Sequence, residues 1–223
     1  MEREIVITED GSSSIYLPEL EEHYHSFHGA IQESEHVFVK QGLNDFLDAN
    51  EISILEIGFG TGLNCFLAAV WSIQNQIKVK YVGLEPNPIA LEVLHKMNYS
   101  NGKYLDYKSI YDDIITSDWE QQFLVNDKFT ITKVQKYLQD FNGEESFDLI
   151  FFDAFSPKSQ PELWTLSIFK QVYNLMNLGG VLVTYCAKGQ VKRDLKSAGF
   201  TVESLEGPPG KREMLRARKL SVY

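Results

Sequence analysis

From residue 52 onward the chain alternates between two hydrophobic patterns. Short apolar runs rich in β-branched residues, typical of buried strands, alternate with stretches in which apolar positions recur every three to four residues, as in helices. The strand-like runs cover 52–57, 79–84, 129–134, 147–152, 181–185, 200–205 and 213–218, and the helical stretches begin at Leu63 and Pro88 and cover 161–176 and 189–198. This alternation predicts an α/β, Rossmann-like fold with a mostly parallel seven-stranded sheet covered by helices on both faces.

The remaining segments depart from that alternation. The last two strand-like runs are joined only by Gly207-Pro208-Pro209-Gly210, which predicts an antiparallel last strand. Residues 4–8 and 14–17 flank an Asp10-Gly11 turn and predict an N-terminal β-hairpin, and the histidine-rich stretch after it, up to residue 50, is a candidate lid. Residues 98–127 lack a clear period and are interpreted as an insertion with short helices. No linker is visible, so we expect 1–223 to form a single domain.

Composition and charge narrow the possible functions. The cysteines, Cys65 and Cys186, lie in apolar stretches without disulfide or metal-like spacing. The first ten residues resemble no export leader, and no apolar run is long enough to cross a bilayer, so we expect a cytoplasmic protein without a membrane partner. The net charge of −10 argues against a polyanionic partner, yet the stretch from Lys188 to the end carries a net charge of +5. That stretch is either an RNA-binding edge or a set of solvated faces.

The segment from Leu55 to Asn64 combines a strand end, glycines at alternate positions and a helix start. Such glycines let the backbone approach a ligand at a helix N-terminus. The spacing G-x-G-x-G, with Glu56 two residues before the first glycine, differs from the G-x-G-x-x-G of dinucleotide-binding proteins and favours S-adenosylmethionine (SAM) over NAD. The alternative is a glycine-rich turn that binds no ligand. The candidate cofactor-binding residues here are Glu56, Gly58, Phe59, Gly60, Thr61, Gly62 and Asn64.

Acidic residues follow two further strands. Glu85 comes directly after the second strand, where a carboxylate can accept the hydroxyl groups of a ribose, or alternatively cap a helix beginning at Pro88. Asp153 follows the fourth strand and is the candidate catalytic residue, because a carboxylate there could orient and deprotonate an amine nucleophile. Asp153 is also assigned to the cofactor site. Its alternative role is that of a turn residue.

Aromatic and histidine residues raise two further hypotheses. Phe155 and Trp164 could stack on a planar base, or they could belong to the core. The stretch His23-Tyr24-His25-Ser26-Phe27-His28 suggests a metal site, but no cysteine or carboxylate lies at a suitable ligand spacing, so we expect no metal.

Five segments resemble a known family, the tRNA 5-methylaminomethyl-2-thiouridine biosynthesis methyltransferases, which comprise the MnmC methyltransferase domain and its stand-alone relatives. The matching segments are 29–43 (GAIQESEHVFVKQGL), 55–64 (LEIGFGTGLN), 151–165 (FFDAFSPKSQPELWT), 178–200 and 207–217 (GPPGKREMLRA). The resemblance implies a class I SAM-dependent enzyme that methylates the aminomethyl group on the wobble uridine at position 34 of tRNA. It also implies cofactor contacts for Glu56, Gly58, Gly60, Gly62 and Glu85.

Two features depart from the family pattern. Family members often carry Gly-Asp after the third strand, where the acid contacts adenine, whereas Thr132-Lys133-Val134 stands here. Bifunctional relatives also continue into an FAD-dependent oxidase that prepares the amine. Because this sequence stops at Tyr223, we expect a separate enzyme to supply the aminomethyl uridine.

The partner expected from these patterns is the tRNA anticodon loop. Its phosphates would contact cations near the pocket, with Lys188 and Lys192 on one helix face. The candidate substrate-binding residues are Phe155, Pro157, Trp164, Lys188, Lys192, Arg193, Lys211 and Arg212. Two alternatives stay open at this stage: a SAM-dependent methyltransferase of a small amine metabolite, and a SAM-binding domain without catalytic activity.

Overall fold

The computed structural model describes residues 3–143 and 146–220 and places their strands in two sheets. An N-terminal antiparallel sheet contains β1 (Glu4–Ile7), β2 (Ser13–Leu17) and β3 (Glu22–His23). The main sheet contains β4 (Glu51–Ile57), β5 (Lys78–Leu84), β6 (Gln122–Asn126), β7 (Phe129–Val134), β8 (Phe147–Phe152), β9 (Met176–Thr184), β10 (Thr201–Glu206) and β11 (Glu213–Arg218).

Strand order in the main sheet is β10-β11-β9-β8-β4-β5-β7-β6. The pairings β9-β8, β8-β4, β4-β5 and β5-β7 are parallel, whereas β11 runs antiparallel to both β9 and β10. The predicted α/β class, mostly parallel sheet and antiparallel last strand are therefore confirmed. The N-terminal hairpin is also present, extended by the two residues of β3.

The sheet has eight strands in the described part of the chain, and the expectation of seven was wrong. The additional strand, β6, lies within the segment expected to contain only short helices and pairs antiparallel with β7 at the sheet edge. Its side chains are exposed or only half-buried, and Leu124 is 63% exposed. A strand with no buried face lacks the apolar pattern by which strands are recognised in a sequence.

Six α-helices connect the described strands. They are α1 (Ala30–Ser34), α2 (Leu63–Asn75), α3 (Leu91–Leu94), α4 (Lys108–Thr116), α5 (Leu166–Asn174) and α6 (Gly189–Ser197). A π-helical segment (Glu35–Lys40) follows α1, and short 3-10 helices cover Leu43–Phe46, Gly102–Tyr107, Leu138–Asp140 and Pro161–Leu163. The single helix expected over 161–176 is therefore divided, because the Thr165 hydroxyl accepts a hydrogen bond from the Ile168 amide and begins α5 there.

Two apolar clusters cover the two faces of the main sheet. One contains α2, α4 and the N-terminal elements, and the other contains α5 and α6. Helix α2 is buried continuously from Leu63 to Ser72, which fixes the direction of the loop that precedes it. No helix within the described residues is long and apolar enough to cross a membrane.

Candidate active site

A cavity of about 970 Å³ opens where β4, β5 and β8 end. The loops after these adjacent parallel strands meet at one edge of the sheet, which is where ligands bind in open α/β folds. The N-terminal segment forms the opposite wall through Leu20, Glu22, His23, Tyr24, His25, Ser26, Phe27 and Glu33. The candidate lid segment therefore lies directly over the strand ends.

The glycine loop after β4 requires glycine for two physical reasons. Gly58, Gly60 and Gly62 have φ values of 92°, 51° and 76°, a region that other residues rarely adopt. A Cβ atom on Gly58 would lie 2.5 Å from the Asp153 carbonyl oxygen, so the loop could not approach the end of β8 with a side chain at this position. Gly62 is the residue before α2, so the loop leads directly into the helix N-terminus.

Glu85 connects the second strand end to the glycine loop. Its carboxylate accepts hydrogen bonds from the amides of Gly60 at 3.0 Å and Asn87 at 2.9 Å. Burial raises the pKa of Glu85, and these two hydrogen bonds oppose the rise. The helix-capping alternative is wrong, because α3 begins only at Leu91 and has no side-chain cap.

Asn64 links two carboxylates beneath the glycine loop. Its Nδ2 donates to Oδ2 of Asp153 at 2.7 Å and to Oε1 of Glu56 at 2.9 Å. Glu56 is fully buried, also accepts a hydrogen bond from the Tyr81 hydroxyl at 2.7 Å, and is absent from the cavity wall. The structure thus places Glu56 behind the wall, where it holds Asn64, whereas direct contact with a cofactor was expected.

Of the two carboxylates bonded to Asn64, Asp153 is the one that lines the cavity. Burial and the negative charge of Glu33 raise its pKa to about 7, against the opposing effects of the Asn64 hydrogen bond and the Lys211 charge. Its Oδ2 is bonded to Asn64, and Oδ1 has no hydrogen-bond donor among the described residues. A half-ionised carboxylate with one oxygen available can accept a proton near neutral pH.

The other two residues of the glycine loop, Phe59 and Thr61, have side chains that pack in the core. Phe59 packs edge-to-face against Trp119, and the Thr61 hydroxyl is bonded to the Tyr99 hydroxyl at 3.1 Å. Both residues nevertheless contribute to the cavity wall beside the backbone of Gly60.

The aromatic residues expected to contact substrate have different positions. Phe155 lines the cavity and packs edge-to-face against Tyr24, with ring centroids 5.1 Å apart. Trp164 is 5% exposed and does not line the cavity, so its expected stacking on a base is wrong for this structure. Instead, its indole N–H donates to the Phe155 carbonyl at 2.7 Å and supports that residue from behind. Pro157 lies in the turn after Ser156, outside the cavity wall.

Of the five expected cations, the structure brings only Lys211 into the cavity wall. Lys188 directly precedes α6 and is exposed, Arg193 is exposed in the middle of α6 and donates to Oε1 of Gln190, and Arg212 is exposed beside Lys211. Lys192 is half-buried and donates to the Ser204 hydroxyl of β10 at 2.8 Å. Lys188 is the N-cap residue of α6, and its carbonyl accepts a hydrogen bond from the Lys192 amide at 3.1 Å, so the two residues are one helical turn apart.

Lys133, which stands in place of the family acid, is turned away from the main cavity. Its side chain is 2% exposed, and its Nζ donates to the carbonyls of Ile114 and Ile115 at the end of α4. The cavity wall near the end of β7 is formed by the four residues that follow the strand, Gln135, Lys136, Tyr137 and Leu138. Lys133 therefore stabilises the end of α4. The position at which family members carry the adenine-binding acid does not line the main cavity in this protein.

Several cavity residues were not among those predicted from the sequence. Tyr185 follows β9, and its position after a strand could have indicated it. Glu33 and Glu22 come from the N-terminal segment and reach the cavity only through the tertiary fold. Glu22 accepts hydrogen bonds from the hydroxyls of Ser156 and Ser159 at 2.6 and 2.5 Å, which fixes the loop after β8 against β3.

His25 provides a test of how the N-terminal segment packs. Burial lowers its pKa to about 4 from the ordinary value of 6.5. Because the unfolded chain binds a proton between these pH values and the folded chain does not, the free energy of unfolding falls as the pH drops below about 6.5. Between pH 7 and 5 we expect wild type to lose roughly 1–2 kcal/mol more than His25→Gln in urea unfolding.

The matched control for this prediction is His95→Gln, which changes an exposed histidine. It should follow wild type at both pH values. Equal losses for wild type and His25→Gln would show that His25 is not kept neutral by the fold.

The chemistry of the wall fits SAM. The Asn64 Oδ1 atom is buried and has no hydrogen-bond partner within the described part of the chain, so the ammonium group of a methionine moiety could satisfy it. Glu85 retains acceptor capacity for ribose hydroxyls beyond its two amide donors. Negative charge from Glu85 and Asp153 suits a cationic sulfonium and would repel a pyrophosphate.

Comparison with known sequences identifies relatives over most of the chain. A family model described as S-adenosyl-L-methionine-dependent methyltransferase matches residues 103–220. The tRNA 5-methylaminomethyl-2-thiouridine biosynthesis bifunctional protein MnmC of Leptospira borgpetersenii serovar Hardjo-bovis is 30% identical over 213 residues, covering 87% of this chain and 32% of the relative. The protein of the same name from Cupriavidus metallidurans is 29% identical over 238 residues, covering 99% and 34%. The chain thus spans about a third of the length of these curated relatives.

Two solved structures show related folds. MNMC2 from Aquifex aeolicus is 26% identical with a TM-score of 0.82, and the match covers 99% of this chain and 72% of that one. Spermidine synthase from Thermotoga maritima is 17% identical with a TM-score of 0.55, covering 95% and 70%, and shows similarity of fold alone.

Proposed function

This chain belongs to the S-adenosyl-L-methionine-dependent methyltransferase family, and from that premise we propose that it methylates an amine on tRNA. The proposed product is 5-methylaminomethyl-2-thiouridine at wobble position 34, formed from 5-aminomethyl-2-thiouridine. The names of the relatives from Leptospira and Cupriavidus support this substrate. A substrate of this kind implies a cytoplasmic location, and we propose that residues 1–223 act as one domain.

The observation that carries the proposal is the placement of Asp153 beside the glycine loop. The Gly58 backbone lies against the Asp153 carbonyl, and Asn64 joins the Asp153 carboxylate to the base of the loop. A cofactor held by the loop and an amine held by Asp153 would therefore be neighbours. Proximity and orientation of this kind account for a large part of enzymatic rate enhancement.

In the proposed cofactor site, the backbone of Gly58, Gly60 and Gly62 would hold SAM, and Glu85 would accept hydrogen bonds from the ribose hydroxyls. Asn64 Oδ1 would accept a hydrogen bond from the ammonium group, and Gln135 to Leu138 line the end of the cavity nearest β7. When bound, SAM supplies an electrophilic methyl group on a sulfonium. Glu56 acts indirectly, because its hydrogen bond fixes the orientation of the Asn64 amide.

The chemical task of Asp153 is to hold and deprotonate the substrate amine. Oδ1 receives the proton that the amine loses, while Oδ2 remains bonded to Asn64. The amine, now neutral, has a free lone pair on its nitrogen and can act as a nucleophile. A pKa of about 7 for Asp153 suits this role, because a base is most effective when its pKa lies near the working pH.

The amine itself must be made by another reaction. The curated relatives are described as bifunctional, and the segment matched here is about a third of their length. We propose that an enzyme or domain outside the sequence described here supplies the aminomethyl uridine.

The tRNA substrate is tested by two exposed cations, one directly before α6 and one within it. Lys188 and Arg193 lie after the carboxyl end of β9, on the same sheet edge as the cavity. Replacing both with glutamate should weaken tRNA binding at least about tenfold at low salt. It should also reduce the slope of the logarithm of the binding constant against the logarithm of salt concentration by about 1.5. Filter binding across a salt series measures both quantities, and SAM affinity should not change.

Lys78 and Lys128 provide the matched control, because Lys78 is the first residue of β5 and Lys128 directly precedes β7, at the edge of the sheet opposite to the cavity. Their double replacement with glutamate makes the same change in net charge and should leave most of the tRNA affinity intact. Equal losses in both double variants would mean that only net charge matters. Unaltered tRNA methylation in the Lys188 and Arg193 variant would favour a small amine as substrate.

A further inference from the structure

Glu33 and Lys211 form an ion pair in the cavity wall although they are 178 residues apart in the chain. The Lys211 Nζ lies 2.5 Å from Glu33 Oε1, and the side chains are only 32% and 9% exposed. Such a pair is weakly screened by solvent, so its charges act on neighbouring groups over several ångströms.

Tyr185 connects this pair to the loop that carries Asp153. The Lys211 Nζ lies 3.9 Å from the centre of the Tyr185 ring, and the Tyr185 hydroxyl donates to the Ala154 carbonyl at 2.8 Å. Asp153 directly precedes Ala154. These two residues, Tyr185 and both members of the ion pair all line the same cavity. The pair therefore lies in the same cavity wall as Asp153 and is linked to it through Tyr185 and Ala154.

We propose that the Glu33–Lys211 pair is a positioning unit that sets the charge opposite Asp153 and thereby controls how readily this carboxylate accepts a proton from the substrate amine. This inference rests on the proposed function, in which Asp153 deprotonates the amine. Glu33 increases the proton affinity of Asp153, and Lys211 decreases it. The two members of one ion pair thus have opposite effects on the same base.

The other groups facing Asp153 come from several elements. Asn64 on α2 donates a hydrogen bond to Asp153. Asp153 also interacts electrostatically with the carboxyl group of Glu56 on β4 and with the hydroxyls of Tyr81 on β5 and Tyr185 after β9. None of these groups is itself substituted in the Glu33 or Lys211 variants. Because Lys211→Met also removes the cation from the Tyr185 ring, Lys211→Arg is included to restore a positive charge at this position.

The experiment is a carboxyl carbon NMR titration of the protein labelled with ¹³C-aspartate, with the Asp153 signal assigned by Asp153→Asn. Lys211→Met should raise the proton affinity of Asp153 about tenfold, and Glu33→Gln should lower it by a similar factor. The double variant should return close to wild type, and Lys211→Arg should preserve the wild-type midpoint. Lys170→Met, which removes an exposed lysine outside the cavity wall, is the charge control.

The proposal is supported if the Asp153 titration midpoint moves in opposite directions in the two single variants. Loss of a merely structural contact would move both midpoints in the same direction or would move neither. Unchanged midpoints, or displacements of the same sign, would overturn it. Circular dichroism identifies any variant that does not fold, and the remaining single variant still has a predicted sign.

The titration needs neither cofactor nor tRNA, so it separates the two proposals. Displaced midpoints in a protein that methylates no tRNA would retain the role of the pair and reject the function. Normal tRNA methylation with unchanged midpoints would retain the proposed function and reject the role of the ion pair. In an active protein, the acid limb of the pH dependence of kcat/KM should move in the same directions as the NMR midpoints.

Discussion

Replacing Asp153 with asparagine should lower the single-turnover rate of methyl transfer by about 10²- to 10⁴-fold, the usual contribution of a general base. Asparagine has nearly the same shape and can still accept the Asn64 hydrogen bond, so the glycine loop should keep its position. Calorimetry should accordingly give a SAM affinity within a few-fold of wild type. The wild-type rate should rise with pH through about 7, and the variant should lack that rise.

Asp127→Asn is the matched control for this substitution. Asp127 is exposed in the turn between β6 and β7 and lies outside the cavity wall, so its loss should leave the rate unchanged. A near-normal single-turnover rate for Asp153→Asn would show that Asp153 is a turn residue, and the base would have to be sought elsewhere.

Gly60→Val should weaken SAM binding at least about 100-fold, which corresponds to about 2.8 kcal/mol. Gly60 has a φ of 51°, and a Cβ atom there would lie 3.1 Å from the Tyr24 ring. A β-branched residue would therefore displace the loop and disturb the hydrogen bond from the Gly60 amide to Glu85. Isothermal titration calorimetry measures the loss of affinity directly.

Gly102→Val separates a local effect on the cofactor site from general backbone strain. Gly102 has a similar φ of 59°, and a Cβ atom there would meet nothing within 4 Å. Both variants should lose a comparable free energy of unfolding, about 1–2 kcal/mol, but only Gly60→Val should lose SAM affinity. If Gly60→Val binds SAM as tightly as Gly102→Val does, the cofactor is not held by this loop.

The strands that enclose the site could be predicted because they are buried on both faces. Mostly apolar runs at 52–57 and 147–152 lie at the centre of the sheet, where β4 and β8 pair in parallel. The chemistry at their carboxyl ends follows from that arrangement, so Asp153 and the glycine loop could be placed together before the structure was known. Strand β6 was missed because it lies at an edge with no buried face.

Other features depend on contacts between distant segments and leave no local pattern. Lysine is usually a surface residue, yet Lys133 is buried because two carbonyls at the end of α4 accept hydrogen bonds from its ammonium group. Trp164 directly precedes the exposed Thr165, and the packing of Phe152 and Phe169 against its ring shows that it belongs to the core. Glu33 enters the site because α1 packs against the turn that carries Lys211.

The most direct test of the proposed function is nucleoside analysis of tRNA after reaction. The protein is incubated with methyl-labelled SAM and with tRNA from a strain that lacks the methylation step, and the tRNA is digested and analysed by liquid chromatography and mass spectrometry. The proposed function predicts that the label appears in 5-methylaminomethyl-2-thiouridine as 5-aminomethyl-2-thiouridine disappears, and that Asp153→Asn forms almost none of this product. An unlabelled tRNA pool, recovered from a protein that binds SAM normally, would contradict it.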